Sequence, residues 1–192
     1  MILTYHKIKC FKGKDAIATG LIPFFLQMFL IRKKHVVYLE EYTPANEDQF
    51  VITFDDGYRE VIKYALPVLR IFKYPFEIFV VGDFIKAAES GNKNYLDTKD
   101  IAIILKNRGR LQYHSRTHPH LELINDLCIL EDEIKPPEWL RTLDPKGFKY
   151  FAYPFWVYNN DVITLVKKYY CGARSGNGCA NDTVYALDSK RL

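Results

Sequence analysis

The chain has 192 residues, 48% of them hydrophobic and 26% charged, a length suited to one domain, residues 1–192, and a composition that excludes disorder and a coiled coil. The 27 Lys and Arg against 23 Asp and Glu leave a net charge of +4, scattered rather than in a block, which argues against a nucleic-acid partner and is compatible with an anionic envelope polymer. With 14 Tyr and 13 Phe there are rings for a core and also for a surface that stacks on sugar faces.

Short apolar runs alternate with longer stretches of helical period, the pattern of a mostly parallel α/β sheet or barrel. The first strand is expected at residues 2–5. A helix over 21–33 follows, and its apolar run LIPFFLQMFLI is interrupted by Pro23 and Gln27 and falls short of the roughly 20 residues that span a bilayer, so it is expected to face the core. Strands at 36–39 and 50–54 precede a helix over 59–72, kinked at Pro67 where the ring removes a backbone donor. After a strand at 76–81 comes a helix over 98–108, with Thr98 as N-cap and Gly109 as its stop, then a strand at 110–113. Pro136 and Pro137 mark a loop. A strand at 149–153, a helix over 160–170 capped by the Asn159–Asn160 pair and ended by Gly172, and a weak strand at 171–174 complete the pattern. The opening MILTYH lacks the features of a signal peptide, which places the protein in the cytoplasm if Met1 is the native start and in the envelope or outside if a leader was removed. Cys10, Cys128, Cys171 and Cys179 form no CxxC pair; buried free thiols are expected, and a Cys171–Cys179 bridge only in an oxidising compartment.

Three stretches carry chemistry. In ITFDDGY (52–58) two adjacent carboxylates, Asp55 and Asp56, follow a buried strand, at the strand end where barrel enzymes collect their catalytic side chains. Like charges repel, so a cation beside them is the natural remedy; the alternative is an Asp-Gly turn that caps the helix at Arg59. In HSRTHP (114–119), His114 and His118 are close enough in sequence to bind one ion, and Pro119 ends any helix there. Two histidines and a carboxylate make a three-ligand site with open positions, the pattern of catalytic zinc; the plain alternative is a pair of solvent-facing histidines. His120 is expected to be an exposed loop residue. In FAYPFW (151–156), Phe151 suits the core, while Pro154 breaks the strand so that Phe155 and Trp156 overhang the barrel mouth, offering ring faces to a sugar and a backbone N–H to an oxyanion.

TFDDGY (53–58), HSRTHP and FAYPF (151–155) resemble, in order and spacing, the first three motifs of the polysaccharide deacetylases of carbohydrate esterase family 4, the NodB homology domain. ILTYH (2–6), FEIFVVGD (76–83) and YALDSKRL (185–192) look like further family landmarks, so the resemblance covers nearly the whole chain. It implies a distorted, incomplete (β/α) barrel of about seven strands that removes acetyl groups from N-acetylated sugars with a divalent metal, zinc first, with cobalt or nickel able to substitute. Carried over residue by residue, Asp56, His114 and His118 hold the metal, Asp55 is the general base, and the Phe155 backbone N–H is an oxyanion donor. Tyr58, Pro154, Phe155 and Trp156 contact substrate. The chain departs from the family at Ala152, where many members have an arginine that orients the base, and at Trp156, where a glycine is usual. Neither the Asp-Trp fourth motif nor the late Leu-x-His motif, whose histidine is the general acid, is found. Asp55 would then serve both proton transfers, or another residue would supply the acid, or it lies in a C-terminal part absent from a truncated chain, or catalysis is poor.

The function expected is N-deacetylation of N-acetylglucosamine units in a bacterial polysaccharide or glycan precursor, with a lean towards the poly-N-acetylglucosamine branch. The alternatives are a decayed, sugar-binding homologue and a hydrolase of another, cyclic amide; a non-haem iron oxygenase fits the ligand types but not the α/β pattern. No transmembrane segment is expected, and the oligomeric state is left open.

Overall fold

The computed structural model of the protein describes residues 1–11, 13–176 and, as backbone, 183–186. Its first strand β1 (Ile2–Tyr5) leads through a small parallel pair, β2 (Lys7–Lys9) and β3 (Ala18–Gly20), into helix α1 (Leu21–Leu30). After β4 (His35–Val36) comes the longest strand, β5 (Gln49–Asp56), then α2 (Leu66–Phe72), β6 (Phe76–Val80), α3 (Gly82–Glu89) and α4 (Thr98–Lys106). The remaining elements are β7 (Gly109–Tyr113), α5 (Leu127–Ile134), α6 (Glu138–Leu143), β8 (Tyr150–Ala152), α7 (Asn160–Tyr169), β9 (Gly172–Ser175) and β10 (Thr183–Ala186). The main sheet has the order β1-β5-β6-β7-β8-β9-β10, parallel throughout except for β10 against β9, with β4 beside the start of β5. It curls into an open half-barrel, the incomplete (β/α) barrel expected.

Strand alternation sorts the side chains. Phe54, Phe76, Ile78, Leu111 and Phe151 pack in the main core with the helices, while Ile2, Val51, Phe79 and Ala152 form a smaller cluster on the concave face. That face also buries Glu77, whose carboxylate accepts from the Leu39 backbone N–H at 2.7 Å and from Gln112 Nε2 at 2.6 Å. Burial pushes the Glu77 carboxyl up to about 7.

Several expectations need correction. Residues 36–39 do not form a strand: β4 stops at Val36, and Leu39–Glu41 is a turn of 3₁₀ helix. The kink at Pro67 is instead a π-helical turn, Val61–Ala65, after which Pro67 sits in the first turn of α2, where its missing N–H costs nothing. The N-cap of α4 is Asp97, not Thr98, with its carboxylate accepting from the Asp100 N–H at 2.8 Å. Gly109 opens β7 rather than ending a helix, and a Cβ there would lie 2.3 Å from Ile104. Helices α3, α5 and α6 were not expected; Pro137 is the N-cap of α6. Helix α1 buries only Phe24 and Met28 and turns most of its apolar run outward. Cys10, Cys128 and Cys171 are free but exposed, not buried; Cys179, and with it any Cys171–Cys179 bridge, lies outside the described residues, as does most of YALDSKRL. No helix among the described residues is long and apolar enough to cross a membrane.

Candidate active site

Adjacent strand residues point to opposite faces, so Asp55 and Asp56 can share a site only if the chain is turned between them. Asp55, 1% exposed, follows the alternation onto the concave face. Asp56 is re-aimed by a left-handed backbone (φ 69°), a conformation a short carboxylate side chain tolerates, and Gly57 (φ 72°) continues the turn. His114 extends β7, its N–H donating to the Val80 carbonyl at 2.9 Å. His118 returns to it because Ser115 (φ 70°) and His118 (φ 63°) are also left-handed, and the His118 N–H donates to Ser115 Oγ at 2.9 Å. The loop is pinned from α5 by the buried Glu133, which accepts from the Thr117 N–H at 2.8 Å, Thr117 Oγ1 at 2.9 Å and Arg116 Nη2 at 3.1 Å.

The outcome is a triangle of donor atoms. Asp56 Oδ1 is 3.4 Å from both His114 Nε2 and His118 Nε2, which are 3.2 Å apart. Two corners of a tetrahedron around zinc, with bonds of ~2.0–2.1 Å, lie ~3.3 Å apart, so the triangle fits such an ion. His114 Nδ1 lies 2.7 Å from the Ala152 carbonyl oxygen, which can only accept; Nδ1 therefore carries the proton and Nε2 the free lone pair. Burial, then the neighbouring His114, pulls His118 below the usual histidine range and keeps its lone pair available. Asp56 Oδ1 is buried with no hydrogen-bond partner among the described residues, an orphan that a cation would satisfy.

Asp55 stands outside the triangle and is held by a residue that the sequence did not point to. Arg174 of β9, itself 1% exposed, donates through Nη2 to both carboxylate oxygens of Asp55, at 2.5 Å to Oδ2, and lies 5.0 Å over the Phe79 ring. Arg174 pairs in register with Ala152, so an arginine stands on the strand beside the position where one was expected. Burial pushes the Asp55 carboxyl up, but Arg174, then His114 and His6, outweigh it and hold the group below the usual carboxylate range. His6 Nε2 is 4.0 Å from Asp55 Oδ2. The parallel register that sets Tyr5 beside Phe54 brings the next residue, His6, level with Asp55.

These groups open into a cavity of about 370 Å³ lined by His6, Ile17, Asp55, Asp56, His114, His118, Phe155 and Trp156. Phe155 stacks on the exposed His120 at 4.0 Å and meets His118 edge-on at 4.7 Å. Phe155 and Trp156 are left-handed (φ 54° and 63°), and the second explains why a glycine suits that position; the Phe155 N–H meets no acceptor among the described residues. Of the expected substrate contacts, Pro154 is buried beneath the mouth and Tyr58 stands to one side. Tyr58 stacks on Tyr95 at 5.3 Å, Tyr95 on Phe84 at 4.2 Å, and Phe84 faces His118, making a row of rings that leads to the triangle. Burial, then Asp56, pushes the Tyr58 hydroxyl up, so it stays protonated.

An open parallel half-barrel with two histidines and a carboxylate at its strand ends has the architecture of the NodB-type carbohydrate esterases. The chain belongs to that family: the profile described as "Polysaccharide deacetylase" matches residues 43–172. It is 24% identical over 127 residues to the poly-beta-1,6-N-acetyl-D-glucosamine N-deacetylase of Staphylococcus aureus, covering 61% of this chain and 43% of that one, and 26% identical over 170 residues to YxkH of Bacillus subtilis, covering 85% and 58%. The chain thus spans about half the length of these curated relatives. Among solved structures, BC0361, a polysaccharide deacetylase from Bacillus cereus, superposes with a TM-score of 0.80 at 22% identity over 98% of this chain and 60% of that one. IcaB from Ammonifex degensii superposes with a TM-score of 0.74 at 19% identity, over 89% and 80%.

Proposed function

We propose that this chain is a metal-dependent N-deacetylase acting on N-acetylglucosamine units of a bacterial polysaccharide or glycan precursor. The observation that carries the reading is the division of the carboxylate pair: Asp56 joins two histidines in a triangle of zinc dimensions, while Asp55 stays buried, ionised and unligated beside it. A divalent ion held by Asp56, His114 and His118 would supply Lewis acidity towards the acetamide carbonyl and acidify a water. Asp55, ionised and outside the triangle, would act as the general base towards the attacking water. Arg174 keeps the Asp55 carboxylate charged and fixed in direction. The Phe155 N–H, which meets no acceptor among the described residues, would donate to the developing oxyanion. His6, the cavity histidine outside the triangle, returns a proton to the leaving amine on this reading, supported by its position in the cavity 4.0 Å from Asp55. Phe155 and Trp156 present ring faces to the sugar.

The test is acetate release from N-acetylglucosamine oligomers by metal-stripped and zinc-reloaded protein. Asp55→Asn should abolish release while zinc still binds, and His6→Ala should slow it. Full turnover by Asp55→Asn would refute the assignment, and stoichiometric zinc binding without release from any oligomer would favour the sugar-binding reading.

A further inference from the structure

Helix α1 presents an apolar face to solvent. Only Phe24 and Met28 of LIPFFLQMFL are buried; Ile22 is 68% exposed, Leu26 53% and Leu30 72%, with Phe25 and Phe29 exposed beside them. Phe25 packs on Phe72 of α2, next to which Ile71 is also exposed, so the face continues onto the neighbouring helix. Scattered exposed apolar residues need no explanation, but a contiguous patch on adjacent helices marks an interaction surface.

The charges around the face indicate its partner. Residues 21–34 and 61–73, which build it, contain Arg32, Lys33, Lys34, Lys63, Arg70 and Lys73 and no Asp or Glu, in a chain whose acids nearly balance its bases; among the described residues, Lys34 alone of the 32–34 run is paired with an acid from outside, Asp48. Arg32 lies 3.9 Å over the Phe29 ring and donates to the Phe29 carbonyl, which attaches the basic rim directly to the apolar face. A symmetric contact with a second copy would set these cations against their own images. An anionic partner with an apolar interior meets both features.

We propose that α1, with the adjoining edge of α2, docks peripherally on an anionic lipid bilayer, its aliphatic and aromatic side chains entering the interface and its basic rim meeting the headgroups. The helix starts at β3, beside the cavity residue Ile17, and runs to β4, which pairs with the opening residues of β5. It therefore descends the barrel wall away from the strand ends that carry Asp55 and His114, and bilayer contact along it leaves the cavity mouth open.

The experiment is co-sedimentation of the purified chain with phosphatidylglycerol-rich vesicles and, separately, with pure phosphatidylcholine vesicles. Wild type should partition onto the anionic vesicles and be released by salt. Leu26→Glu with Leu30→Glu should weaken binding at least ~10-fold, and Arg32→Glu with Lys33→Glu several-fold. All four side chains are exposed, so thermal melts of both variants should match wild type, and their acetate release from soluble oligomers should be unchanged, which separates a failure here from a failure of the deacetylase reading. Absence of binding to anionic vesicles, or equal binding by wild type and both variants, would overturn the proposal. So would a wild-type dimer in light scattering that Leu26→Glu with Leu30→Glu dissociates, which would assign the face to a second copy.

Discussion

Replacing Arg174 by methionine keeps most of the side chain's volume and removes its charge, leaving Asp55 buried without its ion-pair partner and with only His6 and His114 nearby. Both groups are 1% exposed, so solvent does not screen the loss. Removing one partner of a buried ion pair costs ~3–5 kcal/mol, because the charge left behind has neither water nor a counter-ion. With a urea dependence of ~2 kcal/mol per molar, the unfolding midpoint should fall by roughly 2 M. Urea titration followed by far-ultraviolet circular dichroism reads this directly. Asp55→Asn in the Arg174→Met background should recover much of the loss, since no orphan charge remains, and the double-mutant cycle isolates the pair. The pair stabilises the fold at pH values above the unfolded aspartate pKa and ceases to do so as pH falls through the lower folded value, so the gap between wild type and Arg174→Met should close in acid. A variant within ~1 kcal/mol of wild type at neutral pH, with no coupling to position 55, would show that the two groups do not depend on each other as a buried pair must.

Zinc at about 100 times its dissociation constant should stabilise the protein by ~2.7 kcal/mol and raise the melting temperature by roughly 5–10 °C, a shift that a chelator reverses and that Asp56→Ala or His118→Ala removes. Glu133→Ala frees the HSRTHP loop from α5 and should lower zinc affinity ~10–100-fold in a competition titration with a chromogenic chelator; unchanged affinity would mean the loop holds its shape unaided. Glu77, ordinarily near 4.5 and raised here to about 7, favours its protonated form in the fold. Wild type should therefore lose up to ~3 kcal/mol relative to Glu77→Gln as pH rises from ~4.5 through ~7, measured by melts across that range, and a flat difference would refute it.

Most strands of the main sheet and the donor triangle were legible in the sequence because both depend on short-range signals, whereas the short pair β2 and β3 was not. A run such as FVITF alternates on its own, and HSRTHP brings two histidines together within one loop. What the sequence hid was register. That Arg174 faces Asp55 follows from β9 pairing with β8 at Ala152, and that His6 does so follows from β1 pairing with β5, and neither pairing is written in local pattern. The helices α3, α5 and α6 are only eight, eight and six residues long, so local pattern has little length in which to mark them, and α5 is announced chiefly by its Asp126 cap. The orientation of α1 failed for the opposite reason: its apolar run satisfies the expectation for burial, yet a ten-residue helix on a curved sheet offers the core only the stripe of Phe24 and Met28.

The triangle is drawn from residues 56–118, whereas the groups around Asp55 come from either side of that stretch, His6 from just after β1 and Arg174 from β9. On the deacetylase reading, the cation site and the proton relay therefore rest on different parts of the fold, so a change in β9 can disable the relay while the donor triangle stays intact.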